Sequence, residues 1–429
     1  MTARRSRVMA SASFGVVLAL ATAASSAPYR IPKDRPTEVP GEIVVKFRDM
    51  GPGKNFSARV AGEVAQSVNA TVISSIPRLG IQRLRVPPEK VRPVLSKLRE
   101  DKTRVERAEP NRYIYATERI PDDLRWKEQW NLPKIGMPKA WDRIAEVKVL
   151  VAVVDTGIDY EHPELKANIW TNTRKGVVKD DKGNPLNDHD HGISFCDDGK
   201  PGDPIDLLGH GTQVAGVIGA HGNNRADVAG VAWRVELMAV KVLCKLEAEV
   251  PTGTVADAIA GIDYAIQQGA AILNLSWGFY AKDGNLEETL KGAGLVIASA
   301  GNENGNNDNE KERVYPAGFD LASMIAVAGT TQSDGLAPLS NYGEKTVHLA
   351  APGTAILTTT LQKSLKIVEG TSFAAPHVTG CAALLRGLVG PNKSLFIKGL
   401  LLDKADQVSG LKVNKGRRLN CGQAVQSLP

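Results

Sequence analysis

The stretch Val149-Leu150-Val151-Ala152-Val153-Val154-Asp155-Thr156-Gly157 decides the fold. Six apolar residues in a row leave no side chain to face water, which describes a strand buried on both faces. Strands of that kind belong to parallel sheets covered by helices. The run stops at Asp155, and in an open parallel sheet the carboxyl ends of the strands are where ligands and catalytic groups collect. Asp-Thr-Gly is also good turn chemistry, so the carboxylate has a second reading as a cap for the next element.

Working outward, similar apolar runs recur at 235–242, 271–275, 295–300 and 324–328. Helix-like segments at 212–220, 254–268 and 286–291 separate them. Strand alternating with helix predicts an α/β domain built on a doubly wound, mostly parallel sheet. Two further helices are expected, one starting at Ser372 and one over 394–402. Upstream, the order strand (41–47), helix (56–68), two strands (70–76 and 81–86), helix (88–98) and strand (105–115) predicts a small α+β unit. The organisation expected is an export signal over 1–27, a Pro-rich linker over 28–40, the α+β unit over 41–116, a polar linker over 117–129 and the α/β domain over 130–429.

A chain of 429 residues has room for one catalytic-sized domain and a smaller one. With 42% hydrophobic and 23% charged residues it is neither disordered nor fibrous. The formal charge of +6 is spread along the chain without a basic patch interleaved with aromatics, which argues against nucleic-acid binding. Arg4, Arg5 and Arg7 precede an apolar stretch over 8–24 that ends in Ser25-Ser26-Ala27, the layout of a secretory signal cut near Ala27. A membrane anchor is the alternative, but the run is short for a span of about 20 residues and carries Ser11, Ser13 and Gly15. No later segment reaches spanning length without a charge or turn residue. A secreted protein, extracellular or periplasmic, with no stable membrane association is expected. Cys196, Cys244, Cys381 and Cys421 fit that compartment with up to two disulfides. Three pairings are open, and Cys381 reads equally well as a buried thiol.

Four residues carry the chemistry. Gly370-Thr371-Ser372-Phe373-Ala374-Ala375-Pro376-His377 places Ser372 between a glycine turn and a helix start, as an N-cap or as a nucleophile near the positive end of the helix dipole. His210 lies in Gly-His-Gly-Thr-Gln-Val-Ala-Gly (209–216), where flanking glycines leave the imidazole open. The other histidines have plainer readings as turn, loop or helix residues, among them His162, His377 and the pair His189 and His191. Asn302 ends Ala-Ser-Ala-Gly-Asn (298–302) directly after an apolar strand, as an amide donor or as a turn residue. Together they supply the acyl-transfer set: Ser372 attacks a carbonyl, His210 moves its proton, Asp155 orients the imidazole and Asn302 cradles the oxyanion. Asp-Thr-Gly also occurs in aspartic proteases, but those need two carboxylates sharing a proton. This chain holds the tripeptide once, so that reading requires a homodimer.

The chain order Asp155, His210, Asn302, Ser372, with the segments 155–159, 162–165, 209–216, 274–278, 299–302 and 370–380, resembles the subtilisin family of serine proteases. The resemblance implies a secreted serine endopeptidase made as a self-processing zymogen, acting on protein or peptide substrates as a monomer. The rival is a catalytically silent subtilisin fold used for binding or inhibition. Esterase and peptide ligase chemistry share the acyl-enzyme. The unit over 41–116 resembles the family's propeptide, and Glu-Pro-Asn-Arg-Tyr-Ile (109–114) its active-site tail. An intramolecular chaperone that becomes an inhibitor is implied, cut between about 115 and 121.

The resemblance also implies that extended peptide adds as a strand against 243–253, including Gly253, and 275–278, including Ser276, Trp277 and Gly278. Ser299, Ala300, Gly301 and Glu303 with 315–317 would form the pocket for the residue before the scissile bond. Small Ala317 at its base predicts a roomy neutral pocket, and Glu303 at the rim predicts entry of basic side chains. Gln213 stands where relatives often have a second histidine, outside the triad. Glu164 stands where relatives often carry a calcium-binding aspartate. Glu164 and Asn224 could supply hard oxygen ligands to a structural calcium, or belong to a hydrophilic turn. The chemistry itself requires no cofactor.

Overall fold

The structure, a computed structural model, describes residues 29–30, 36–48, 58–114, 118–174, 190–196, 202–247 and 250–429. The expected export signal, residues 28 and 31–35 of the 28–40 linker, residues 115–117 of the expected cleavage window, and His189 lie outside the described residues. The chain divides into two compact units, Tyr29–Arg119 and a larger one holding Ile120–Pro429.

The smaller unit runs β1 (Glu38–Phe47), α1 (Ala58–Ser67), β2 (Thr71–Ile76), β3 (Ile81–Arg85), α2 (Val91–Glu100) and β4 (Val105–Arg112). This is the element order expected from the sequence. The strands form an antiparallel sheet ordered β2-β3-β1-β4. Alternate residues of β1, Ile43, Val45 and Phe47, face one side and pack on Val64, Leu95 and Leu98 of the helices. On β1 beside those positions, Glu42 accepts from Arg85 Nη2 at 2.8 Å and Asn111 Nδ2 at 2.9 Å, which holds its carboxyl below the usual range. The second helix starts three residues later than expected, because Pro88 opens a 3₁₀ turn over Pro88–Lys90 before Val91.

The larger unit centres on β5 (Glu146–Asp155), followed by β6 (Gly192–Ser194), α3 (His210–Gly219) and β7 (Arg234–Lys241). A hairpin, β8 (Leu243–Glu247) and β9 (Val250–Gly253), leads to α4 (Val255–Gln268), β10 (Ile272–Leu275), α5 (Gly284–Lys291) and β11 (Leu295–Ser299). Then come β12 (Met324–Thr330), β13 (Leu349–Pro352), a second hairpin of β14 (Ile356–Thr360) and β15 (Ser364–Val368), α6 (Thr371–Val389), α7 (Ser394–Asp403) and α8 (Cys421–Gln426). The order β13-β12-β11-β10-β5-β7-β6 is parallel throughout, with two short strands added beyond β13 to make nine. The doubly wound α/β sheet is therefore present. The strand order reverses around β5, with β7 on one side and β10 on the other.

The wholly apolar run is explained by its two faces. Val151 and Val153 pack into a core with α3 and α6, whereas Ala152 and Val154 pack into another with α4 and α5. Each fully buried valine contributes roughly 1.5–3 kcal/mol of transfer free energy, so a polar residue at any of the buried positions 151 to 154 would be costly. Short strands such as β6, and the Thr-rich β14, carry no comparable apolar run, so the sequence pattern does not mark them. Both disulfide questions close: Cys196 pairs with Cys244, and Cys381 with Cys421. No helix among the described residues is long and apolar enough to cross a membrane.

Cys381 and Cys421 are both fully buried and tie α6 to α8 across a separation of 40 residues. Replacing both by alanine is expected to lower unfolding free energy by roughly 2–4 kcal/mol, read as a lower urea midpoint with a slope that is, if anything, steeper because the unfolded chain is freed of the cross-link.

Candidate active site

Asp155 ends β5 at the point where the strand order reverses, and it is fully buried. Its Oδ1 accepts from the Thr156 N–H at 2.8 Å and from His210 Nδ1 at 2.7 Å. A carboxylate only accepts, so Nδ1 carries the proton and Nε2 is left with its lone pair. His210 opens α3, and close backbone approach requires glycine on both sides of it. Gly209 sits at φ +98°, and a Cβ on Gly211 would lie 2.1 Å from the Gly157 carbonyl.

The imidazole keeps 21% of its side-chain surface exposed. Burial by itself would push its pKa down. The Asp155 charge and hydrogen bond, with the charge of Asp206, outweigh burial and raise it above the ordinary histidine value. Asp206, which the sequence pattern does not single out, accepts from the N–H groups of Leu208, Gly209 and Thr212 and from Thr212 Oγ1. It fixes the loop that leads into His210. Its only sequence signal is an aspartate four residues ahead of the histidine.

Ser372 is the second residue of α6, after Gly370 at φ +132°. Four residues on, Pro376 has no N–H to give, so the Ser372 carbonyl lacks its helical partner. Ser276 Oγ takes that place at 2.8 Å, and Ser372 Oγ donates in return to the Ser276 carbonyl at 3.0 Å. Asn274 Nδ2 holds Ser276 Oγ at 2.9 Å, and Thr379 Oγ1 holds Asn274 Oδ1 at 2.7 Å. Two serines on different elements thus clasp each other through backbone and side chain. Asn302 Oδ1 accepts from Thr371 N–H at 2.9 Å and Thr371 Oγ1 at 3.0 Å. That fixes the amide so that Nδ2 is the end left to donate beside Gly370.

His210, Ser372 and Asn302 line one cleft of about 360 Å³. Ser276, Trp277, Gly278, Ser299, Gly301 and Glu303, which the resemblance assigns to a substrate groove, line it too. Ala300 and Ala317 lie fully inside the core clusters instead, and Val314 lines the wall. Gly253 closes the base of the β8–β9 hairpin, where a Cβ would come within 2.0 Å of the Val242 carbonyl. Glu303 Oε2 accepts from the Asn302 N–H at 2.9 Å. Tyr280, also on the cleft, has its phenol pushed up by burial and by the Glu303 carboxylate. Gln213 lies outside this set and donates to Thr360 Oγ1.

Glu164 and Asn224 meet elsewhere. Glu164 is buried and accepts from Asn224 Nδ2 at 3.2 Å and from the Asp227 N–H at 3.1 Å. Burial, with the nearby charges of Asp123 and Asp227, raises it to about 7. Asp123 is likewise raised by burial, to about 6, and its Oδ1 is buried with no hydrogen-bond partner. Asn224 Oδ1 in turn accepts from the Ala226 N–H at 2.8 Å, so the oxygens of Glu164 and Asn224 are all engaged within the protein, and among the described residues no group of three or more His, Cys, Asp or Glu is placed to hold a metal.

Comparison with known proteins divides the chain in the same way. Residues 147–419 match the subtilase family, and residues 32–111 match the fervidolysin N-terminal prodomain. A thermophilic serine proteinase from a Bacillus species is 31% identical over 87% of this chain and 84% of its own length. Thermitase from Thermoactinomyces vulgaris is 32% identical over 70% of this chain and 96% of its own. A solved structure of proteases from Pseudoalteromonas arctica is similar with a TM-score of 0.57 and 26% identity, covering 72% of this chain and 99% of that one.

Proposed function

The chain belongs to the subtilase family, and from that membership we propose a secreted serine endopeptidase that is made as a zymogen and processes itself. The observation that carries this reading is the 2.7 Å Asp155–His210 hydrogen bond beside a cleft that Ser372 and Asn302 share. In the mechanism, Ser372 Oγ leaves the Ser276 carbonyl, attacks the scissile carbonyl carbon and gives its proton to His210 Nε2. Asp155 stabilises the imidazolium that results. The oxyanion forms between Asn302 Nδ2 and the Ser372 N–H, which the helix start leaves without a helical partner. His210 then hands the proton to the leaving amine, the peptide bond breaks, and water repeats the sequence on the acyl-enzyme. Extended substrate pairs as a strand with the β8–β9 hairpin and with residues after β10. The N-terminal prodomain acts first as folding chaperone and then as inhibitor.

A structural calcium at Glu164 and Asn224, taking no part in the chemistry, would require Asn224 to turn its Oδ1 away from the Ala226 N–H and toward Glu164, with the unpartnered Oδ1 of Asp123 as a further oxygen.

Three outcomes test these proposals. Ser372→Ala is expected to accumulate as uncut precursor and to leave casein intact; a variant that still processes itself and digests casein removes Ser372 from the nucleophile role. Because His210 must be neutral to act as base and its pKa is raised, kcat/KM should fall with decreasing pH through a midpoint above 6.5. A midpoint below that value contradicts the Asp155 and Asp206 influence. A calcium chelator should lower the thermal unfolding midpoint of the wild type and leave that of Glu164→Gln nearly unmoved.

A further inference from the structure

The β8–β9 hairpin forms a two-stranded sheet separate from the nine-stranded one. A lone two-stranded ribbon is marginal in water, yet this one supplies Leu243, Val250 and Pro251 to the cleft wall. Its base is secured by buried Leu243 and by Gly253 seated on the Val242 carbonyl. Just beyond the base the pairing slips. Leu243 faces Gly253 and Lys245 faces Thr252, so Cys244 is an extra residue, a bulge, at the point where the hairpin leaves the body.

That bulged residue is the one that carries the disulfide to Cys196. Cys196 is buried two residues past β6, the edge strand of the large sheet. The adjoining Phe195 N–H donates to the Lys241 carbonyl at 2.9 Å, which fixes that segment to the end of β7. The bridge therefore ties the hairpin's irregular point to the sheet edge. Neither cysteine lines the cleft.

We propose that Cys196 and Cys244 are a positioning pair that holds the β8–β9 edge ready for the residues preceding the scissile bond, and that reducing the bridge weakens binding of extended peptides while leaving acyl transfer intact. The inference rests on the peptidase reading. In the reduced protein the hairpin must be ordered when substrate arrives, and that cost falls on KM. The scissile carbonyl itself is handled by Ser372, His210 and Asn302, which the bridge does not touch. Reduction needs a dithiol: two electrons and two protons convert the bridge to two thiols, and the reductant closes to its own disulfide. Cys244 is half-buried, whereas Cys381 and Cys421 are fully buried, so mild reductant reaches this bridge first.

The test compares mature wild type, oxidised and mildly reduced, with the double variant Cys196→Ser/Cys244→Ser, on an extended peptide and on a single-residue ester. Mass spectrometry after alkylation verifies that reduction opened Cys196–Cys244 alone. KM for the extended peptide should rise roughly tenfold, the scale of ordering one or two more residues on binding, with kcat within about twofold and the ester unchanged. Reoxidation of the wild type should restore KM, which keeps the test valid where the double variant fails to fold. Unchanged KM for the peptide on reduction, or equal losses on peptide and ester, overturns the proposal. Oxidised wild type that cleaves neither the extended peptide nor the ester overturns the peptidase reading beneath it.

Discussion

Helix α6 is buried along its first fifteen residues, Thr371 to Leu385, and the arrangement of the active site depends on that constraint. A helix buried on all sides must satisfy every polar group within the protein. Pro376 withholds one N–H, and the carbonyl thereby released belongs to Ser372. Ser276 fills the gap, Asn274 orients Ser276, and Thr379 from the next turn of the same helix holds Asn274. His377 is satisfied the same way, donating from Nδ1 to the Phe373 carbonyl and accepting at Nε2 from Asn131. The polar requirements of one buried helix thus fasten Ser372 to the end of β10. An unsatisfied group in that position would cost about 1–3 kcal/mol.

The sheet was legible in the sequence because burial on both faces leaves an unbroken apolar run as its signature. Asp155, His210, Asn302 and Ser372, the residues proposed to carry the chemistry, stand out in the sequence because each sits where such a run or a glycine turn ends. What escaped were groups whose role is defined only by a partner far away in sequence. Asp206 has the composition of an ordinary loop aspartate until the N–H groups of Leu208, Gly209 and Thr212 converge on it. Asp123 and Glu164 lie on separate segments, and their pKa values are raised chiefly by burial, which the sequence does not show. Resemblance assigns Ala300 and Ala317 to the pocket, but small side chains at those positions face the core, and Val314 faces the cleft. Cysteine pairing likewise depends on which strands neighbour each other, which spacing alone leaves open.

Glycine serves the site in a way that side-chain chemistry cannot. Gly211 brings α3 onto the Gly157 carbonyl, and its own N–H meets Thr156 Oγ1 at 2.8 Å. The Asp155 turn and the His210 helix are therefore in backbone contact, and the 2.7 Å hydrogen bond between their side chains is a consequence of that contact. Hydrogen-bond geometry held by backbone is stiffer than geometry held by long side chains, which suits a proton-transfer pair that must stay within hydrogen-bond reach.

The two disulfides divide along the same lines. Cys381–Cys421 lies inside the buried core, where α6 is already held by packing and by the polar contacts of Ser372, His377 and Thr379, so its effect is on the stability of the whole unit. Cys196–Cys244 lies where packing gives out, at the bulge of a ribbon with one strand partner and a solvent-exposed Val250 at 61%. A covalent tether matters most where few other contacts fix the geometry. The chemistry sits on the rigid side of that divide, between Asp155 and α6. The hairpin that would meet the substrate chain sits on the compliant side. Ser372 is thus placed by burial of a helix, whereas one wall of the cleft, the β8–β9 ribbon, is tied to the sheet by a single bridge.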